Sequence, residues 1–405
     1  MGEDVLVNWT CGEITKQLAT LGAIALLTLQ LARPATAQQL DVSGYYENML
    51  QLDYVTNSKL QALDASKFRL DGGLLIGRVL EVRGNVNFIF SLGQLRRSIT
   101  PYLPPSVADA LQAAGIPDTV EVDRARLFVD NLFVTWVPGS LRIRAGKQQL
   151  SWGPGYSYNP TDLFHRKTLV DPTYEKEGVT ALRADYRWGI GGQISLISAP
   201  KSDLSRSGYA LRAGTHVSQI GYDVAVTAHQ VSDSTAVDPV TLAPVTQQRR
   251  ALGLDFVGAL FGLGVWFEGN YNWMELEADF VRFVMGTDYT FNDGTYVMLE
   301  ALYNGRSPRK PPYPIDDWLA NLFYGEPVGR GWILAGMRRD ISDFWSANLY
   351  VFLSPDGSAL INPRLDASLA QNVDLVLFGG ITLGDDEGSF PSDLVSAVGR
   401  LTVYF

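Results

Sequence analysis

The sequence holds three histidines, His165, His216 and His229, and a single cysteine, Cys11. Nucleophilic or metal chemistry would have to be assembled from these. The most suggestive arrangement is Ala228-His229-Gln230-Val231-Ser232-Asp233, which brings a base, a hydroxyl and a carboxylate into one short segment. That segment reads as a strand, and strand side chains share a face only at even spacing. His229 and Ser232 are three apart, so they point to opposite faces and the base–nucleophile contact fails. No His/Cys ligand set is present, and no glycine loop of the phosphate-binding kind opens a helix. No catalytic residue, no metal site and no cofactor are therefore expected.

What the chain does have is arginine on alternating positions. Arg124, Arg126, Arg142, Arg144 and Lys147 lie on two adjacent segments with only Asp130 close in sequence. Arg183, Arg187, Arg282 and Arg338 sit at similar places further on. Lining a water-filled passage, such cations favour anionic or hydroxyl-rich solutes. Paired with Asp71, Asp185, Asp255, Glu268 or Glu300, they instead brace the wall as a cross-strand lattice. Trp152, Tyr156 and Tyr158 fall in a Gly/Pro-rich stretch after Leu141–Ser151. Folded inward, these rings would offer stacking surfaces to sugar-like solutes; otherwise they pack the loop.

The elements that must position these residues are short strands. From Asp41 on, segments of about ten residues alternate in polarity between turn signals. They are Val42–Tyr54, Lys67–Ile76, Val79–Leu92, Arg124–Val137, Leu141–Ser151, Val179–Trp188, Gln193–Ala199, Ser207–His216 and Gln219–Val231. Then come Gln248–Leu260, Leu263–Trp273, Ala278–Phe291, Thr295–Asn304, Gly331–Arg339, Phe344–Ser354, Leu360–Ala370, Val373–Leu383 and Leu394–Phe405. Connections after even-numbered segments are tight: Pro138–Ser140, Gly189–Gly191, Phe291–Gly294 and Asp340–Asp343. Long ones follow odd-numbered segments: Gly93–Asp123, Trp152–Glu177, Ser232–Gln247, Gly305–Arg330 and Gly384–Asp393. Short turns at one end and long loops at the other suit a chain threaded back and forth through a bilayer. Ser106–Ala114 reads as a short helix capping the passage, and Arg306–Val328 as a folded lid.

Composition agrees. Of 405 residues, 46% are hydrophobic and 19% charged, the latter somewhat below the roughly 25% of soluble domains. A formal net charge of -10 argues against nucleic-acid binding. Leu18–Leu31 is an apolar run followed by Ala35-Thr36-Ala37, read as a secretory leader over 1–37 and a mature chain over 38–405. The acidic residues Glu3, Asp4 and Glu13 ahead of it point to a true start near Val5–Val7. Beyond Ala37 no apolar run is long enough for a membrane helix, so a spanning structure must be a closed barrel.

The last strand, Leu-Val-Ser-Ala-Val-Gly-Arg-Leu-Thr-Val-Tyr-Phe, has one apolar face ending on Phe405. It resembles the closing strand of Gram-negative outer-membrane β-barrels, whose terminal Phe is read by the insertion machinery. The run Gly146-Lys147-Gln148 into Trp152-Gly153-Pro154-Gly155 is similar to a strand of outer-membrane porins and alginate-export-type barrels. The resemblance implies an all-β, transmembrane, antiparallel up-and-down barrel of about 18 strands (16–18). It implies a porin passing small polar, anionic or saccharide-like solutes by diffusion. Its partners would be outer-membrane lipid, lipopolysaccharide and the insertion machinery, with the chain a monomer or homo-oligomer. Two alternatives stand beside it: an exporter barrel for an anionic polysaccharide, and a non-conducting structural barrel. A filled lumen would favour the last.

Overall fold

The computed structural model describes residues 38–55, 60–164, 175, 177–189, 191–238, 242–390 and 394–405. The expected leader, 1–37, lies outside the described residues. The chain forms a closed antiparallel barrel of 18 strands. In order these are β1 Gln38–Val55, β2 Gln61–Ile76, β3 Leu80–Gly93, β4 in two pieces (Ala125–Phe128 and Leu132–Trp136), β5 Leu141–Gln148 and β6 Val179–Trp188. Next are β7 Gly192–Ala199, β8 Gly208–Val217, β9 Tyr222–Val237, β10 Pro244–Leu260, β11 Leu263–Met274 and β12 Phe280–Thr290. The last are β13 Tyr296–Asn304, β14 Gly331–Ser342, β15 Trp345–Leu353, β16 Ala359–Ala370, β17 Val373–Leu383 and β18 Leu394–Tyr404. Each strand pairs with its successor, and β18 returns to β1 with Tyr404 opposite Tyr45 and Leu394 opposite Val55. Phe405 completes the seam: its backbone exchanges both bonds with Gly44, and its ring stacks on Phe68 at 5.6 Å.

The period-two pattern sets the two faces. On β12, Val281 and Met285 are 40% and 46% exposed, while Arg282 and Val284 between them are 1% and 0%. Leu182 and Tyr186 on β6 face out in the same way, and Asp185 faces in. The outer face is thus a band of bare Leu, Val, Phe and Tyr, which is stable only against lipid. Aromatic pairs such as Tyr186–Trp188 and Tyr289–Phe291 mark its edges near the tight turns. Those turns include Phe261-Gly262 and Gln371-Asn372, where Phe261 and Asn372 take positive φ.

Several boundaries depart from the sequence reading, β2 among them, which begins at Gln61 rather than Lys67. The expected loop Ser232–Gln247 is mostly strand, because β9 and β10 rise together as a hairpin to Val237 and Pro244. The expected strand Arg124–Val137 is interrupted, and Asn85 Oδ1 caps the break by accepting from Asp130 N (3.1 Å) and Asn131 N (3.0 Å). The strand expected to run to Ser151 ends at Gln148, where the chain turns into the barrel.

The long-loop end is roofed. Helix α1, Pro105–Ala113, and helix α2, Ile315–Tyr324, bring Val107, Leu111, Trp318 and Leu319 into one buried cluster with Ile99, Leu103, Tyr313 and Val328. Gly325 ends α2 in the left-handed region, with φ 64°. Glu387 caps α1 by accepting from Ser106 N at 3.0 Å. Asp356 gathers Tyr313 Oη (2.7 Å), Ser389 N (2.7 Å) and Ser389 Oγ (2.6 Å). Burial opposes the charge on Asp356, but these donors and Ser358 outweigh it and hold the carboxyl well below its ordinary value.

Candidate pore constriction

After Gln148 the chain passes inside the barrel. Leu150 and Trp152 bury against Ala181, Ile197, Ala199 and Ala210 of β6–β8. Trp152 lies between Phe164 and His229, at 6.5 and 5.5 Å between ring centres. The segment then crosses to β11–β15. Tyr158 joins Trp266, Val284, Leu302 and Trp332 in a second core, and Tyr156 stacks on Tyr350 of β15 at 5.5 Å.

Two wholly buried glutamates fix it there. Glu268 on β11 accepts from Gly155 N (3.0 Å), Thr161 N (2.7 Å), Thr161 Oγ1 (2.8 Å) and Asn159 Nδ2 (2.8 Å). Glu300 on β13 accepts from Tyr156 N (2.7 Å), Ser157 N (2.8 Å), Ser157 Oγ (2.5 Å) and Trp266 Nε1 (2.7 Å). A turn lying across a lumen has backbone donors with no ladder to join. Carboxylates from the wall supply acceptors, and bonds to a charged acceptor are worth about 1.5–3 kcal/mol each. Glycine is needed where the backbone comes closest: a Cβ on Gly155 would lie 2.0 Å from the Tyr158 carbonyl oxygen.

With the loop held against β6–β15, open space remains elsewhere. A cavity of about 780 Å³ is bounded by β14–β18 and β1, with Glu47, Arg338, Asp340, Arg364, Asp366 and Arg400 on its walls. One of about 440 Å³ lies beside Arg69, Asp71, Arg83, Phe133 and Arg144. Another, about 450 Å³, is lined by Trp152, Arg183, Gln193, Arg212 and Asp255.

Most inward arginines are paired, and often with an acid two residues along the same strand. Arg69–Asp71 is 2.8 Å, Arg183–Asp185 2.9 Å, Arg338–Asp340 3.2 Å and Arg364–Asp366 2.8 Å. Residues two apart share a face, so the pair forms without a neighbouring strand. Arg212 reaches across to Asp255 at 2.5 Å. The expected basic group divides. Arg142 and Arg144 have no carboxylate within 4.0 Å among the described residues; Arg144 lies over the Phe133 ring at 4.2 Å and donates to Thr135 Oγ1 at 3.1 Å. In the register Arg144 sits directly opposite Arg183. Arg126 is 3.6 Å from Glu177 and Arg124 is exposed near the long-loop end. Lys147 falls on the other face of β5 by alternation and donates to Val129 O at 2.8 Å, closing the break in β4. Arg187 donates to Gln193 at 3.2 Å. Arg282 points inward but lies 1% exposed beneath the roof. Of the three candidate stacking rings, Trp152 and Tyr158 are buried and Tyr156 is half-buried.

The sequence reading offers Glu268 and Glu300 as lattice partners for wall arginines and gives Glu326 no role; the first two instead accept from the inward loop. A signal existed for the first: its inward neighbours Trp266, Asn270 and Asn272 carry no charge, so it has no cation on its own strand to pair with.

No family model matches the sequence, and no curated protein matches it. Solved structures do. The chain is similar to OccAB1 of Acinetobacter baumannii over 90% of its length and 96% of that chain, with TM-score 0.58 and 10% identity. OccK11 (OpdR) of Pseudomonas aeruginosa matches with TM-score 0.56 and 11% identity over 90% and 96%. OccAB4 of Acinetobacter baumannii matches with TM-score 0.56 and 8% identity over 92% and 99%. The fold is therefore that of these barrels, with an apolar outer band suited to lipid.

Proposed function

We propose that this protein is an outer-membrane channel through which small polar solutes diffuse, with a preference for anionic or hydroxyl-rich ones. The path runs between the inward loop and the wall formed by β16–β18 and β1–β5. The observation that carries the preference is the pair Arg142 and Arg144, on the inward face of β5 with no carboxylate within 4.0 Å among the described residues; Arg144 lines the cavity of about 440 Å³ opposite Arg183, and Arg142 is opposite Asp185. Most other inward arginines are neutralised at close range, so these two weigh heavily in the local field. In this reading the Phe405 strand is also the segment that the insertion machinery reads.

Reversal potentials across planar bilayers in a KCl gradient test it. The wild-type channel is expected to prefer chloride. The double substitution R142A/R144A is expected to reduce that preference while leaving the barrel folded. Cation selectivity in the wild type overturns the reading.

A further inference from the structure

Beneath the roof lies a cluster of charges that the passage of solute does not require. Glu326 follows α2 directly after its glycine cap, and Asn321 Nδ2 holds its carbonyl oxygen at 2.7 Å. Its carboxylate accepts from Arg282 Nη1 of β12 and from Tyr158 Oη of the inward loop, the latter at 3.1 Å. Arg282 Nη1 also donates to Tyr158 Oη, at 2.6 Å. On the other side Arg249 of β10 is 3.8 Å from Glu326 and donates to Asp233 of β9 at 3.1 Å. Asn304 accepts from Arg282 Nε at 3.1 Å and donates to Pro327 O at 2.9 Å. Glu326, Arg282, Arg249 and Asp233 are no more than 3% exposed. Tyr158 is one residue beyond Ser157, whose amide Glu300 holds.

We infer that Glu326 is a positioning residue for the constriction: through Arg282 and Tyr158 it fixes the inward loop to the roof, so that the two move as one gate. The inference rests on the channel reading for its consequence and on the buried contacts for its mechanism. A carboxylate in a dry site facing two guanidinium groups has no substitute nearby, because water is excluded and the remaining acids are engaged. If the roof lifts, Glu326 leaves, and the Tyr158 hydroxyl loses a charged partner. The loop then keeps Glu268, Glu300, the Asn270 bond to Pro160 O and its apolar packing, but loses its tie to the roof.

The test uses the full chain refolded in detergent, with E326Q, Y158F and the double variant. Amide hydrogen exchange reads the loop directly, whether or not the barrel conducts. E326Q and Y158F are each expected to speed exchange at the Tyr156, Ser157 and Thr161 amides by about tenfold, as loss of a charge-assisted bond predicts. The double variant is expected to exceed the larger single effect by little, because both remove one linkage. In bilayers the same variants are expected to show a broader spread of open-channel current. Exchange that rises only in the roof, with the three loop amides unchanged, overturns the inference, as do strictly additive effects. A wild-type protein that passes no current overturns the channel reading instead, and the exchange comparison still decides the linkage. Gel mobility before and after heating confirms that each variant forms a barrel.

Discussion

Three kinds of carboxylate do different work here. Those two residues from an arginine, such as Asp71 and Asp366, neutralise a wall cation and leave the lumen polar but balanced. Glu268 and Glu300 meet no such cation; they accept from backbone amides, hydroxyls, an asparagine amide and an indole, which fixes a loop rather than a charge. Asp317, in the first turn of α2, is a third case. Burial raises its carboxyl to about 6, against the bond from Ser307 and the attraction of Arg306 and Arg282, with Asp316 adding to the rise. A carboxyl raised from its ordinary 3.8 is protonated more readily in the docked roof than in an undocked one. Docking then takes up a proton, so this contribution is fully present below the ordinary value and is lost as pH rises through about 6. Protease sensitivity of the 305–330 segment is expected to fall as pH drops from about 7 to about 5, and D317N is expected to flatten that dependence. A wild-type roof equally sensitive across the window would contradict the assignment.

Among elements, the inward loop is the one whose position decides the bore. It is held by side chains from β6 to β15 rather than by a ladder of its own, so its geometry depends on close backbone approach. Gly155→Ala would drive a methyl into the Tyr158 carbonyl and toward Val284. Relief requires the loop to lift, at a cost of about 1–3 kcal/mol, typical of a strained backbone position. The substitution is expected to raise single-channel conductance while strand content by circular dichroism stays at the wild-type level. Unchanged conductance would mean that the loop does not bound the path. The roof is a different sort of element. Its helices carry their own apolar cluster, and its ties to neighbouring loops include polar contacts such as the two from Ser106 to Glu387. The long β9–β10 hairpin props it from one side, with Val237 and Leu242 against the same cluster.

For the whole molecule, closure is the decisive feature. A bilayer leaves no water for a free strand edge, so the seam between β1 and β18 carries the stability of every other pairing. Its last contact is Phe405, which adds two backbone bonds to Gly44 and a ring on Phe68. Deleting Phe405 is expected to lower the temperature at which the barrel loses its compact gel mobility and to slow refolding into lipid vesicles. No change in either would show that the seam is complete without it. The strand pattern, the sorting of short turns from long loops and the polarity of each face were all legible in the chain. They depend on period two and on local turn chemistry, both of which lie within a few residues of one another. So was the helix near Ser106, whereas arginines expected to pair across strands, such as Arg183, find an acid two residues along their own strand. What the chain could not reveal was which distant groups meet. Glu268 and Gly155 are far apart in sequence, as are Glu326 and Tyr158, and only the curvature of the closed barrel brings them together. Alternation states that a side chain points inward; it cannot state whether a loop or water lies there. That choice belongs to the tertiary structure, because packing one loop against half the wall both buries Arg282 and leaves Arg144 facing the open half.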